Sequence, residues 1–382
     1  MLTRRENLIR VFRHEVPEWI PIAGHVDPYN QPNRAGMDPD LARRLGGGLD
    51  SAVHWCDEST ITFSRYLGLD IMDYVGPPLR STRGNVTCES VQSDHDTINI
   101  WHTPRGDLRE VHRRCRNDGT SYLLEHLVKG PQDLPALAAI FEDEHLELDL
   151  AAAESIRKRK ELIGDDGMLM TFMPGTPMGM MYRVYSGVAA LAYLWADAPA
   201  ALHDLFAVME QNYRQQFSIA AQSDTDALVT MDDTSTTVIS PAMFEEFNLG
   251  YTDRLAKIAH GAGKFYFHHS CGLIRDLLPL YRRTKMDAVH AFTIPPIGNV
   301  TVRDGRRRLG DGITIIAGLV QLFGSMDGTA WKDGIREMFE GAAPGDHFIL
   351  GLAADPEKTM EQTRLLLDEC RKYQQLRRSC QL

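Results

Sequence analysis

The strongest constraint on the fold is a rhythm. Eight short apolar runs begin at Trp19, Asp70, Gly167, Ala227, Lys264, Asp287, Ile313 and His347, and nearly all are separated by segments with helical apolar spacing. Short apolar runs bounded by turn residues read as buried strands, and strands that alternate with helices predict a parallel sheet. Eight of them predict an α/β fold, the (β/α)8 TIM barrel. The competing doubly wound sheet would place a Gly-x-Gly-x-x-Gly turn after its first strand. None follows Trp19-Ile20-Pro21-Ile22-Ala23-Gly24.

The whole chain, residues 1–382, is expected to be one barrel domain with an N-terminal extension and an inserted hairpin. The extension is a helix over 3–14, stopped by Pro17. The hairpin is expected where Ile98 and Ile100 alternate with Thr97, Asn99 and Trp101, turn at Arg105-Gly106-Asp107 and return over Leu108 to Val111. One charged helix is expected over 142–163, another from Pro241 to His260 behind an N-cap at Ser240, and a third over 273–283. The Gly46-Gly47-Gly48 run is too short, and lacks the lysine, to be a phosphate loop.

Composition narrows the partners. Forty-one basic residues against 52 acidic ones leave a formal charge of −11, which argues against a nucleic-acid surface and against docking on an anionic membrane. No apolar run approaches the length that crosses a bilayer. The start, Thr3-Arg4-Arg5-Glu6-Asn7, is not that of a secretory signal, so a cytoplasmic protein is expected. The six cysteines form no close-set framework and read as reduced thiols.

Active sites of barrels form at the C-terminal ends of the strands. There the sequence puts His25 and Asp27 after the first run, Asp232 and Asp233 after the fourth, His269 and Cys271 after the fifth, His290 at the sixth and Asp355 beyond the eighth. The fifth run is the most informative. Alternation along Lys264 to Gly272 sends Phe265, Phe267, His269 and Cys271 to one side, and Tyr266 and His268 to the other. An imidazole and a thiolate on one face suit Zn²⁺, whose catalytic sites keep an open position beside three protein ligands. The bland alternative is packing at the end of a buried strand. His25-Val26-Asp27-Pro28-Tyr29-Asn30 equally fits a substrate mouth or an Asp/Pro/Asn turn.

Several stretches together resemble the uroporphyrinogen decarboxylase superfamily, and within it the corrinoid-linked methyltransferases. They are Thr3-Arg4-Arg5-Glu6-Asn7 leading to Pro17-Glu18-Trp19-Ile20-Pro21, Asp232-Asp233, Ser240-Pro241, His269-Ser270-Cys271-Gly272, and Ala291 through Gly298. The resemblance implies the (β/α)8 fold. It also implies zinc at the His-x-Cys-Gly segment, a corrinoid protein as partner and a small-molecule methyl donor.

Two departures qualify this. The thiol-methylating members take a third zinc ligand from a late cysteine, and here that stretch reads Leu350-Gly351-Leu352-Ala353-Ala354-Asp355. The arginine-rich N-terminal motif of the decarboxylases is absent. What remains resembles the branch that demethylates methoxylated aromatics, whose metal site uses histidine and acidic residues. The expected metal ligands are therefore His269 and Cys271 with an acidic residue among Asp232, Asp233 and Glu246, while Asp233 and His269 are also the expected catalytic pair. His25, Asp27, Tyr29, Asn30 and Tyr182 are expected around the substrate, and Met173, Met178, Met180 and Met181 as its apolar wall or as plain core. Two rivals stay open. One is a metal-free decarboxylase using Asp27, Asp70 or Asp73 and Tyr182, and the other a non-catalytic corrinoid or tetrapyrrole binder. Oligomeric state is also open, a homodimer included.

Overall fold

The computed structural model describes residues 1–24, 40–41, 58–115, 121–318, 329–352 and 360–374. His25, Asp27, Tyr29, Asn30 and Asp355 lie outside them. Eight strands form one parallel ring: β1 (Ile22–Gly24), β2 (Ile71–Val75), β3 (Gly167–Pro174), β4 (Ala227–Met231), β5 (Phe265–His269), β6 (Ala288–Thr293), β7 (Thr314–Gly318) and β8 (Phe348–Leu352). Their order is β1-β8-β7-β6-β5-β4-β3-β2. A parallel bridge from Ala23 to Asp70 joins the two ends, so the expected TIM barrel is the observed fold.

The period-2 alternation of each strand decides what fills the barrel. Met72, Met168, Met170, Ala227, Val229, Phe267, Ala288, Ile316 and Ile349 point inward and pack as one cluster. Leu228, Tyr266, Val289, Ile315 and Leu350 point outward and join the larger cluster under the helices. Helix α1 (Arg4–Phe12) plugs the N-terminal end. Its capping box, Thr3 with Glu6, satisfies the first free N–H groups. Its apolar face delivers Leu8, Val11 and Phe12 to the barrel interior, where the Phe12 ring lies 5.2 Å from Phe265 and 4.7 Å from Phe267. Arg5 then ties α1 to Asp226, which also accepts from Lys160 at 3.0 Å and from the Leu169 N–H at 2.9 Å. The N-terminal end of the barrel is thus closed by α1.

Three expectations change, the first being the helix expected over 273–283, of which only Leu278–Tyr281 is helical, with turns on either side. The hairpin exists, pairing Asp96–Thr103 with Gly106–Arg114, but it is the middle of a four-stranded antiparallel sheet flanked by Thr87–Gln92 and Ser121–Glu125. The helix expected over 142–163 is really a strand, Glu144–Leu148, followed by a helix, Leu150–Ile163, that Asp149 caps. The strand pairs with Leu79–Arg83, and cross-strand ion pairs Arg83–Glu144 and Arg80–Glu147 favour it over continued helix.

Candidate metal centre

Strand β5 ends by turning His269 and Cys271 into the mouth of the barrel, and Asp233 reaches them from the end of β4. The three offer one ligand atom each, all within 4.8 Å of one another. His269 Nε2 lies 2.8 Å from Asp233 Oδ1, and the Cys271 thiol donates to the same oxygen at 3.3 Å. The other carboxylate oxygen is 2.8 Å from Arg183 Nε, and Arg183 also donates to the Met231 carbonyl. Asp233 is thus held so that only Oδ1 faces the histidine and the thiol. Its backbone sits at φ +52, a left-handed conformation that costs a non-glycine residue about 1–2 kcal/mol, of the kind that collects at functional sites.

Charge and burial compete here. Burial alone would raise the Asp233 carboxyl, but His269 and Arg183 outweigh it and bring the pKa down to about 2. The Cys271 thiol is pushed up to about 12 by burial and by the Asp233 charge. A bound cation would reverse that second shift, since a coordinating thiol is deprotonated. Behind the cluster, His269 Nδ1 lies 2.8 Å from His290 Nδ1, and His290 Nε2 lies 2.7 Å from the Tyr74 hydroxyl. The Tyr74 ring stacks on Phe172 with centroids 4.4 Å apart.

The other expected residues sit elsewhere. Asp232 is fully buried on the outward side of β4. Its Oδ1 accepts from the Thr176 N–H at 2.6 Å, and its Oδ2 lies 3.2 Å from His268 Nδ1 without hydrogen-bond alignment. It fastens the loop after β3, where a Cβ on Gly179 would come within 2.4 Å of that Oδ1. Glu246 belongs to the outer helical layer, 3.4 Å from His203, and its neighbour Glu245 pairs with Arg283 at 2.6 Å. The buried residues of that turn are Phe244 and Asn248, so both glutamates face away from the barrel. Neither Asp232 nor Glu246 joins His269 and Cys271. Tyr182 is buried and donates to the Asp232 carbonyl at 2.5 Å. Met173, Met178 and Met181 pack in the layer between strands and helices, with Met180 partly buried against it; Met173 is there because the strand parity that turns Phe172 inward turns it out.

Arg183, Tyr74 and Phe172 were missed by sequence reasoning. Tyr74 and Phe172 carried a signal, since alternation from Met72 and Met170 puts them on the inward face near the rim. Arg183 carried none, because it arrives from an irregular turn of π-helix, Met181–Tyr185.

With this geometry in view, the relatives become informative. A family model for uroporphyrinogen decarboxylase (URO-D) matches residues 114–373. The chain belongs to the uroporphyrinogen decarboxylase family. Among solved structures, a methyltransferase from Methanosarcina mazei superposes with a TM-score of 0.62 at 15% identity, covering 98% of this chain and 99% of its own. A B12-independent methionine synthase from Shewanella sp. W3-18-1 aligns over 94% of this chain and 98% of its own, at 10% identity and a TM-score of 0.47. No curated protein matches the sequence. At these identities the likeness to solved structures concerns the fold of this URO-D family member alone, and the centre has to be judged on its own chemistry.

Proposed function

We propose that this URO-D family member is a methyltransferase that moves a methyl group from a methoxylated aromatic to the cobalt of a corrinoid protein, with Zn²⁺ held by Asp233, His269 and Cys271. The observation that carries the reading is the convergence of a carboxylate oxygen, an imidazole nitrogen and a sulfur within 4.8 Å at the rim of the barrel. Mixed O, N and S donors suit zinc, and three protein ligands leave a coordination position open. Bound there, zinc supplies a Lewis acid that draws electron density from an ether oxygen as its methyl group leaves.

The chain's own residues do the rest. Arg183 fixes the carboxylate, so that Asp233 offers a single oxygen. That oxygen is also the acceptor nearest the Cys271 proton, 3.3 Å away. Phe172 lines the barrel interior while staying partly exposed, and gives an aromatic donor a ring to pack on. In the overall step the C–O bond breaks and a C–Co bond forms. Cobalt(I) is oxidised to cobalt(III), and the aryloxide keeps the electron pair and takes up a proton.

Two of the three carboxylates that the decarboxylase alternative names are engaged elsewhere, and the third, Asp27, lies outside the described residues. Asp70 sits just before β2, at the plugged end, accepting from the Ile22 N–H at 3.0 Å. Asp73 points outward and pairs with Arg159 at 2.6 Å. The deciding experiment assays a panel of methoxylated aromatics with cob(I)alamin alongside zinc analysis of wild type, His269→Ala and Cys271→Ala. Methyl transfer and one zinc in wild type, with both lost in the variants, is the expected result. Full activity and metal content in both variants would remove the centre. Cobalamin binding without transfer from any donor would favour the non-catalytic binder.

A further inference from the structure

The pair of imidazoles behind the cluster imposes a rule on the proton positions. His269 Nε2 faces Asp233 and Cys271, whereas among the described residues His269 Nδ1 pairs with His290 Nδ1, at 2.8 Å. Once the Nε2 lone pair is given to a cation, the ring proton must be on Nδ1, and it needs an acceptor. His290 Nδ1 can accept only if the proton of that second ring is on Nε2. There the Tyr74 oxygen, 2.7 Å away, receives it. Without a cation the chain also runs in the opposite sense, from the Tyr74 hydroxyl through His290 to His269 and on to Asp233. Binding a cation and the direction of this chain are therefore linked.

A second observation shows that the backbone is bent at this point. The pairing of β6 with β7 breaks register between His290 and Phe292, and the residue passed over, Ala291, stands at φ +60. Bulges re-aim side chains beside active sites, and a left-handed alanine costs about 1–2 kcal/mol. Here the bulge follows directly after the side chain that turns inward onto His269.

We infer that His290 and Tyr74 are positioning residues, which select the ring nitrogen that His269 presents and so set the affinity of the centre for zinc. The inference rests on the zinc reading of Asp233, His269 and Cys271. Outer partners of this kind are worth about 10–100-fold in metal affinity.

The test titrates zinc into the metal-free full chain against a chromophoric chelator, for wild type, His290→Phe, His290→Gln and Tyr74→Phe. His290→Phe keeps a ring beside Tyr74 and Phe172 but removes the acceptor. His290→Gln removes the ring but restores a carbonyl oxygen to receive the His269 Nδ1 proton. Tyr74→Phe keeps the stack on Phe172 and removes the hydroxyl that pairs with His290. The expected result is one zinc in wild type, an affinity about 10–100-fold weaker in His290→Phe, a smaller loss in Tyr74→Phe, and recovery of most of the affinity in His290→Gln. Wild-type affinity in His290→Phe, or a glutamine variant no tighter than the phenylalanine one, would overturn the inference and leave the centre standing. A wild type that binds no zinc would overturn both. The melting temperature of each metal-free variant separates a misfolded chain from a mispositioned ligand.

Discussion

Replacing Asp233 by asparagine separates the fold from the centre. In the metal-free chain the carboxylate gains stability from His269 and Arg183, which hold its pKa at about 2 against an ordinary 3.8. The full shift would be worth about 2 kcal/mol. With the side chain about a third exposed, screening leaves roughly 1 kcal/mol. Unfolding entropy of about 2.1 cal/mol/K per residue gives the 382-residue chain about 0.8 kcal/mol/K, so the metal-free melting temperature should fall by only about 1 °C. Zinc gives a larger signal. At about a thousand times its dissociation constant it stabilises wild type by about 4 kcal/mol, or about 5 °C. A hundredfold loss of affinity, the upper end for an outer partner and a modest expectation for a ligand, cuts that to about 1.4 kcal/mol, or about 2 °C. Differential scanning calorimetry at fixed zinc, with and without chelator, measures both numbers. An asparagine variant whose zinc-induced rise equals that of wild type would refute the assignment of Asp233 as a ligand.

Glu246→Ala should leave zinc stoichiometry and affinity unchanged, since the glutamate faces His203 in the outer layer; metal analysis of the purified variant checks this. Asp226→Asn removes the shared partner of Arg5 and Lys160 and should cost about 3–5 kcal/mol, a fall of about 4–6 °C in melting temperature. Burial raises the Asp226 carboxyl, but Arg5 and the Leu169 N–H lower it further, so its folded pKa lies below the unfolded one. Its contribution is therefore complete above about pH 4 and lost as pH falls through the folded value, and acid titration followed by circular dichroism should show a shallower loss in the variant. Gly272→Ala forces a side chain into φ +95, 3.0 Å from Ser235 Oγ, and should weaken zinc binding by displacing Cys271, read by the same chelator competition.

The barrel was legible in the sequence because strands buried on both faces leave unbroken apolar runs, and all eight barrel strands overlap a run found that way. The helix wrongly extended over 142–163 shows what that reading misses. Glu144-His145-Leu146-Glu147-Leu148 carries enough charge to look like a helix face, and only its partner Leu79–Arg83, some sixty residues earlier, makes it a strand. Local propensity cannot see a partner that distant in the chain.

The site itself reduces to two adjacent pairs, Asp232-Asp233 and His268-His269, in which one residue faces the mouth and the other the helices. Alternation resolves the histidines from the sequence, since Phe265 and Phe267 mark the inward face and His269 continues it. The same count from Ala227 and Val229 selects Asp233 over Asp232, although β4 ends at Met231 and the count then crosses into a loop. What the count cannot supply is the positive φ that brings Asp233 back toward β5, where its N–H donates to the His269 carbonyl at 3.1 Å. The outward members are put to a different use. Asp232 and His268 lie against each other behind the barrel wall and brace the strand ends on which the inward members stand. Two neighbouring carboxylates thus divide the work by parity: Asp232, buried and already committed to Thr176, holds the scaffold, while Asp233, partly exposed beside a thiol and an imidazole, is the one able to meet a cation.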